Sequence, residues 1–262
     1  MNRFIILFFL SLCAFTSCKK IVTLDLNNTS PQLVIQGEVT DSAGPYTVMI
    51  NQTVDFYADN NFPTVSAAVV KISDDKGVTD SLIETAPGIY RTRALKGKAG
   101  NTYNLSVFVQ NKTYTASSTM PAPVILDSVS FLSNSAFGTK RTSAVVNFQD
   151  PAGVSNYYQF IENINGKQYT KSFFIFEDRL SDGKYITTTL RTDSTYFKTG
   201  DQLEIKMYCI DKNIFAYFNQ LNQSSGGNNT AASPANPSSN ISSGAYGYFS
   251  AHTTQSKKVI AR

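Results

Sequence analysis

The chain has no tryptophan, one histidine and three cysteines, and only 16% of its residues are charged. One histidine and so few thiols cannot supply the N/S set that a structural zinc site needs. A Gly-rich phosphate loop is missing, and so is a Gly-x-Ser-x-Gly nucleophile elbow. The Asp-x-Asp-x-Asp-Gly rhythm of a calcium loop is missing as well. The acid clusters in "DFYADNN" (Asp55, Asp59) and "EDRLSDG" (Glu177, Asp178, Asp182) therefore read as solvated loop acids. His252, in "FSAHTTQ", reads as a surface or packing residue. The formal charge of +4 is mild, reads as spread along the chain, and gives no argument for nucleic acid. No catalytic residue, metal ligand or cofactor is expected.

A long apolar run occurs once, at the very start. Arg3 precedes an apolar stretch from Phe4 to Leu12, and small or hydroxylated residues (Ala14, Thr16, Ser17) lead to Cys18. This is the order of a secretory signal. A helix from Phe4 to Phe15 would rise only about 18 Å against a hydrocarbon core of roughly 30 Å, too short to span. Phe15-Thr16-Ser17-Cys18 resembles a bacterial lipobox, departing from the usual pattern at Phe15, where Leu is commoner. The resemblance implies cleavage after residue 17 and a lipid on Cys18, whose thiol suits alkylation. One acyl chain binds a membrane only marginally, whereas two or three hold firmly. The next residue is Lys19 instead of an inner-membrane retention Asp, which favours the outer membrane, on either face. Losing the leader removes Arg3 and Cys13 and lowers the formal charge to +3. Cys209 is then the one thiol left free, so no internal disulfide can form, and its apolar setting reads as a buried small hydrophobe.

The body of the chain alternates. Residues 18–30 read as a lipid-anchored tether. From 31 to 122, "LVIQGEVT", "PYTVMINQT", "AAVVKIS", "VTDSLIE", "GIYRTRAL", "NTYNLSVFVQ" and "TYTASSTM" are seven strand-like runs with turn signals at Gly77 and Asn111-Lys112. That pattern predicts a transthyretin- or Ig-like β-sandwich. Pro121 and Pro123 break it and mark a boundary. A second β-rich unit is expected over 123–262, with its best hairpin signal at Asn165-Gly166. Ile214, Phe215, Phe218 and Leu221 recur at helical spacing, predicting one short amphipathic helix near 211–222 with Asp211 as N-cap. The polar stretch 222–243 is expected to be a loop too polar to pack. A last strand is expected in "AYGYFSAHTTQSKKVIA". The fold class is mainly β: two β-sandwich-like units, with the helix in the second.

Several segments, taken together, resemble the domain-of-unknown-function family 4249 of Bacteroidota lipoproteins. They include "CKKIVTLDL", "PQLVIQGEVTDSAGPYTVMI", "VSAAVVKISDDKG", "PGIYRTRALKGKAGNTYNLSV", "FQDPAGVSNYYQF", "IDKNIFAYF" and "PANPSSNISSGAYGYFSAH". The front half also resembles transthyretin-like regulatory modules of carboxypeptidases, through "GEVTD", "AVVKISDDKG" and "GIYRTRALKGKAGNTYNLSV". The family resemblance implies an outer-membrane lipoprotein, often encoded beside a TonB-dependent transporter, with no active site to carry across. Asp41-Ser42-Ala43, Asp80-Ser81-Leu82 and Asp127-Ser128-Val129 resemble short O-glycosylation acceptors of such bacteria. The resulting expectation is a non-enzymatic accessory or binding subunit. A surface structural protein or adhesin is the next reading, and a hydrolase the third.

Overall fold

In the computed structural model the described residues are 30–55, 58–59, 61–136, 139–169, 173–190, 197–225 and 236–261. The leader, Cys18 and the tether up to residue 29 lie outside them. In β1 (Leu33–Thr40) the residues Leu33, Ile35 and Val39 are buried while Glu38 between them is exposed, and β2 (Thr47–Gln52) buries Val48 and Ile50. The same period of two, which puts alternate side chains on opposite faces, runs through β7 (Thr102–Val109) and β8 (Lys112–Thr119). β3 (Val69–Asp74), β4 (Thr79–Ser81), β5 (Ile83–Ala86) and β6 (Ile89–Arg91) complete the front unit. One of its layers runs β1-β2-β6-β5 and the other β4-β3-β7-β8.

Two details depart from expectation. The run "VTDSLIE" is not one strand: Thr79–Ser81 pairs with β3, whereas Ile83–Ala86 pairs with β6 in the other layer. The chain crosses at Leu82, which is buried and donates its N–H to Val70 O at 2.9 Å. The β7–β8 turn is centred on Gln110 and Asn111, both at positive φ (51° and 59°), one residue ahead of the predicted pair.

Past Pro121 and Pro123 the chain enters a second group of strands. These are β9 (Leu126–Ala136), β10 (Thr139–Gln149), β11 (Tyr157–Ile164), β12 (Lys167–Gln168), β13 (Phe174–Glu177), β14 (Tyr185–Leu190) and β15 (Gln202–Ile210). One layer runs β14-β10-β9, while β11 pairs with β12, β13 and β15. Asn165 and Gly166 have φ of 49° and 79°, as a tight hairpin turn requires. This core is aromatic: Phe148 meets Tyr158 edge-on at 4.8 Å and Phe176 at 6.2 Å. The helix α1 (Lys212–Ser225) is capped by Asp211, whose Oδ1 accepts from the N–H groups of Asn213 and Ile214 at 2.8 and 3.0 Å. Its buried Ile214, Tyr217 and Phe218 pack with Tyr157, Tyr208 and Tyr248 of the sheet, away from the inter-layer core.

The last strand, β16 (Tyr246–Ile260), changes the division of the chain. Tyr246–His252 runs parallel to β1, and Thr253–Ile260 runs antiparallel to β15. One layer of the front unit and one of the back are therefore a single nine-stranded sheet. Residues expected to belong wholly to 123–262 complete the front unit, because a period-two pattern fixes a strand but not its partner. Gly247 makes the approach to β1 workable: its φ is +98°, and a Cβ there would lie 2.0 Å from Ile35 O.

The end of the polar stretch also packs, contrary to expectation. Ile241 is buried in the front core. Asn240 accepts from Phe249 N at 2.9 Å and donates to Phe249 O at 2.8 Å. Ser242 donates its N–H to Thr115 O, and its hydroxyl accepts from Thr115 N. Short polar side chains stand in for strand partners here, closing the gap between β8 and β16. Residues 226–235 of that stretch lie outside the described residues.

Candidate functional site

Four places in the molecule gather chemistry-bearing side chains. The first joins the loop after β10 to the loop after β13. Asp150, Asp178 and Asp182 each place a carboxylate oxygen within 4.8 Å of the other two. Asp150 accepts from the Tyr158 hydroxyl and from Gly183 N, Asp178 from Asn156 N, and Asp182 from Gly153 N. These bonds fasten the two loops beside an open hollow of about 370 Å³, where Arg179 pairs with Glu177 at 3.3 Å. The trio is chemically able to offer oxygen ligands to a hard divalent cation. The reading of Asp178 as a solvated loop acid is corrected, since it is 4% exposed; Asp182 is exposed. Asp150 went unnoticed in the sequence, although Asp150-Pro151-Ala152-Gly153 is a turn signal.

The second place surrounds His252, on the α1 side of the shared strand. It is 2% exposed, its Nδ1 lies 3.1 Å from Ser250 Oγ, and its ring stacks on Tyr208 at 4.4 Å. Burial holds the imidazole down at about 4 and pushes the Tyr208 hydroxyl up to about 12. Tyr248 donates to Glu38 Oε1 at 3.2 Å. The serine occupies the imidazole nitrogen that a catalytic triad reserves for its acid, and Ser250 is itself buried. His252 is a packing residue.

The third place lies between the layers of the back unit. Glu162 is 1% exposed, and neither carboxylate oxygen has a hydrogen-bond partner among the described residues. Burial pushes its carboxyl up to about 8, where it is held neutral. Tyr169 donates its N–H to Glu162 O, and its own hydroxyl is likewise buried without a partner.

The fourth is the pair of loops at the end of the front unit, residues 41–46 and 92–97, around a hollow of about 780 Å³. Asp80 Oδ2 accepts from the N–H groups of Arg93, Ala94 and Leu95 at 2.9, 2.8 and 2.8 Å. Burial raises the Asp80 carboxyl, but these three donors and the nearby Arg93 charge outweigh it and hold it below the usual carboxylate range. Tyr46 Oη accepts from Gly97 N, and Tyr103 Oη from Lys98 N.

Of the other residues singled out in the sequence, Cys18, the expected lipidation site, lies outside the described residues. Cys209 is buried as expected, and burial pushes its thiol up. Ser42, Ser81 and Ser128 are exposed. Asp211, besides capping α1, accepts from the Ser118 hydroxyl, whose oxygen in turn accepts from Ala251 N at 2.8 Å. The helix cap thus ties the back unit to the front.

These features define a mainly β body of two layered units, sharing one strand and carrying one covering helix. Residues 19–258 match the family model described as domain of unknown function DUF4249, and the chain belongs to that family. No curated protein matches it. Among solved structures, that of the Yersinia pseudotuberculosis adhesin InvE is similar over 68% of this chain, at 18% identity and a TM-score of 0.23. The match spans about half of that protein, 55% of its chain.

Proposed function

We propose that this chain is a non-enzymatic outer-membrane lipoprotein, held by a lipid on Cys18, that works as an accessory or binding subunit beside a TonB-dependent transporter. The observation that carries the reading is β16, which pairs in turn with β1 and β15 and makes both units one body. A binding subunit needs a rigid frame that presents loops, and loops on such frames are where recognition concentrates. The burial of the only histidine in the chain, stacked and bonded in place, supports a role without acid–base turnover. The leader ending at Cys18 supports the anchor. Within the described residues no helix is long and apolar enough to cross a membrane.

The test is extraction of the full-length protein from its native membrane in mild detergent, followed by identification of what accompanies it. An outer-membrane transporter in stoichiometric amount is the expected result. Repeated recovery of the protein alone would remove the transporter partnership and leave a self-standing surface protein.

A further inference from the structure

We infer that the loop running from Arg91 to Lys98 is a recognition surface for a linear acidic polysaccharide. The inference goes beyond the accessory role and depends on neither the lipid anchor nor the transporter. It starts from a correction to the charge reading. The formal excess of +4 is not spread out: Arg91, Arg93, Lys96 and Lys98 fall within eight residues, and the remaining basic residues equal the acidic ones in number. No Asp or Glu occurs between Glu84 and Asp127.

The fold turns this local charge outward. Thr92 N donates to Tyr46 O, and the next three N–H groups are taken by Asp80. Gly97 N and Lys98 N are taken by the hydroxyls of Tyr46 and Tyr103, two tyrosines of the front core. The loop backbone is therefore consumed inward at nearly every residue. Gly97 lies so close to β1 that a Cβ there would sit 1.9 Å from Thr40 O, so the loop cannot shift toward the strand.

The four cationic side chains are all exposed, and among the described residues none is ion-paired with a carboxylate. Arg93 and Lys96 border the hollow of about 780 Å³. Three acids lie nearby. Asp74 Oδ1 accepts from Lys76 N and Val78 N at 3.0 and 2.8 Å, and its Oδ2 from the Asn101 amide. Asp80 is buried under the loop and fully engaged with its N–H groups, and Asp41 Oδ1 accepts from Thr254 N at 2.9 Å.

Unpaired cations on a backbone that is already ordered bind anions without the cost of ordering the loop. Four like charges within eight residues suit a polymer with repeated charges better than a single phosphate. Sites for single-stranded nucleic acid interleave cations with aromatic stacking platforms. Residues 91–98 contain no aromatic residue, which favours a glycan polyanion.

The test measures binding of the full-length chain in mild detergent to heparin and to polygalacturonate, across a salt series. Both polysaccharides are expected to bind at low salt and to be released as salt screens the contact. An Arg93→Gln/Lys96→Gln double variant should bind at least tenfold more weakly, with its melting temperature unchanged because both side chains are exposed. A Lys167→Gln/Lys258→Gln variant removes the same charge from the back unit and should bind like the wild type. The charge-retaining Arg93→Lys/Lys96→Arg pair should also bind like the wild type. Equal losses in the two Gln variants, or no binding of either polysaccharide at low salt, would overturn the inference. Equally tight binding of single-stranded DNA would overturn the assignment to polysaccharide.

Discussion

The two units share a strand but differ in the polar groups they bury between their layers. In the front unit, buried polar side chains anchor the backbone. Asp80 takes three N–H groups, Tyr90 accepts from Ala68 N and donates to Val65 O, and Tyr46 and Tyr103 hold the 92–98 loop. In the back unit, Glu162 and the Tyr169 hydroxyl face the interior with no partner among the described residues. A buried acceptor that is bonded stabilises its surroundings, whereas one left unbonded costs its full desolvation. Both units fasten loops with buried carboxylates, Asp80 in the front and Asp150 and Asp178 in the back. Among the described residues, the back unit in addition carries a bare carboxyl in the layer that it shares with the front.

The comparison breaks most severely where the units are joined. Gly247→Val should abolish folding of both units together, because the new side chain overlaps Ile35 O and the backbone is at positive φ. The cost exceeds the roughly 1–3 kcal/mol of left-handed strain alone. Circular dichroism of the variant should show loss of strand signal across the whole chain; retention of half of it would mean that the units fold separately.

Glu162→Gln comes next and should stabilise, with a pH signature. The folded carboxyl titrates near 8 against an ordinary value of 4.5. The contribution of its neutral form is complete below pH 4.5 and is lost as the pH rises through 8. The variant should therefore gain about 4 kcal/mol on the wild type between pH 4.5 and pH 8. Denaturant midpoints at the two pH values measure it.

His252 acts in the opposite direction. Its folded value near 4 lies below the ordinary 6.5, so stability is complete above pH 6.5 and falls as the pH drops through 4. The loss totals about 3 kcal/mol. Between pH 4.5 and 6.5 the two groups act in opposite directions. Relative to the wild type, His252→Gln should make stability fall more steeply with rising pH, while Glu162→Gln should make it fall less or rise.

Asp80→Asn is the smallest change and the closest control for Glu162→Gln. Here the amide replaces an ionised carboxylate and should cost the front unit about 2 kcal/mol, since an amide cannot hold three N–H donors as a carboxylate does. A shift of both amide variants in one direction at pH 8 would erase the distinction between the units.

Much of the architecture was legible in the residues themselves. Alternation located β1, β2, β7, β8 and β15, Asn165-Gly166 marked its hairpin, Asp211 its cap, and Pro121 with Pro123 the break. These features depend on neighbours a few residues away. What stayed hidden depends on distant ones. Tyr246–His252 pairs with β1 some two hundred residues earlier, and Asn240 finds Phe249 only once that strand is in place. Asp150 and Asp178 look like separate loop acids until β10, β11 and β13 bring them together. The four cations at 91–98 are lost in a charge that reads as spread along the chain, and stand out once Asp80, Tyr46 and Tyr103 take up the loop backbone.

The proposed anchor is tested most directly at Cys18. Mass measurement of the N-terminal peptide from protein purified out of its native membrane should find the chain beginning at Cys18, with a diacylglyceryl group on the sulfur. A chain still carrying residues 1–17, or a Cys18 with an unmodified thiol, would contradict it.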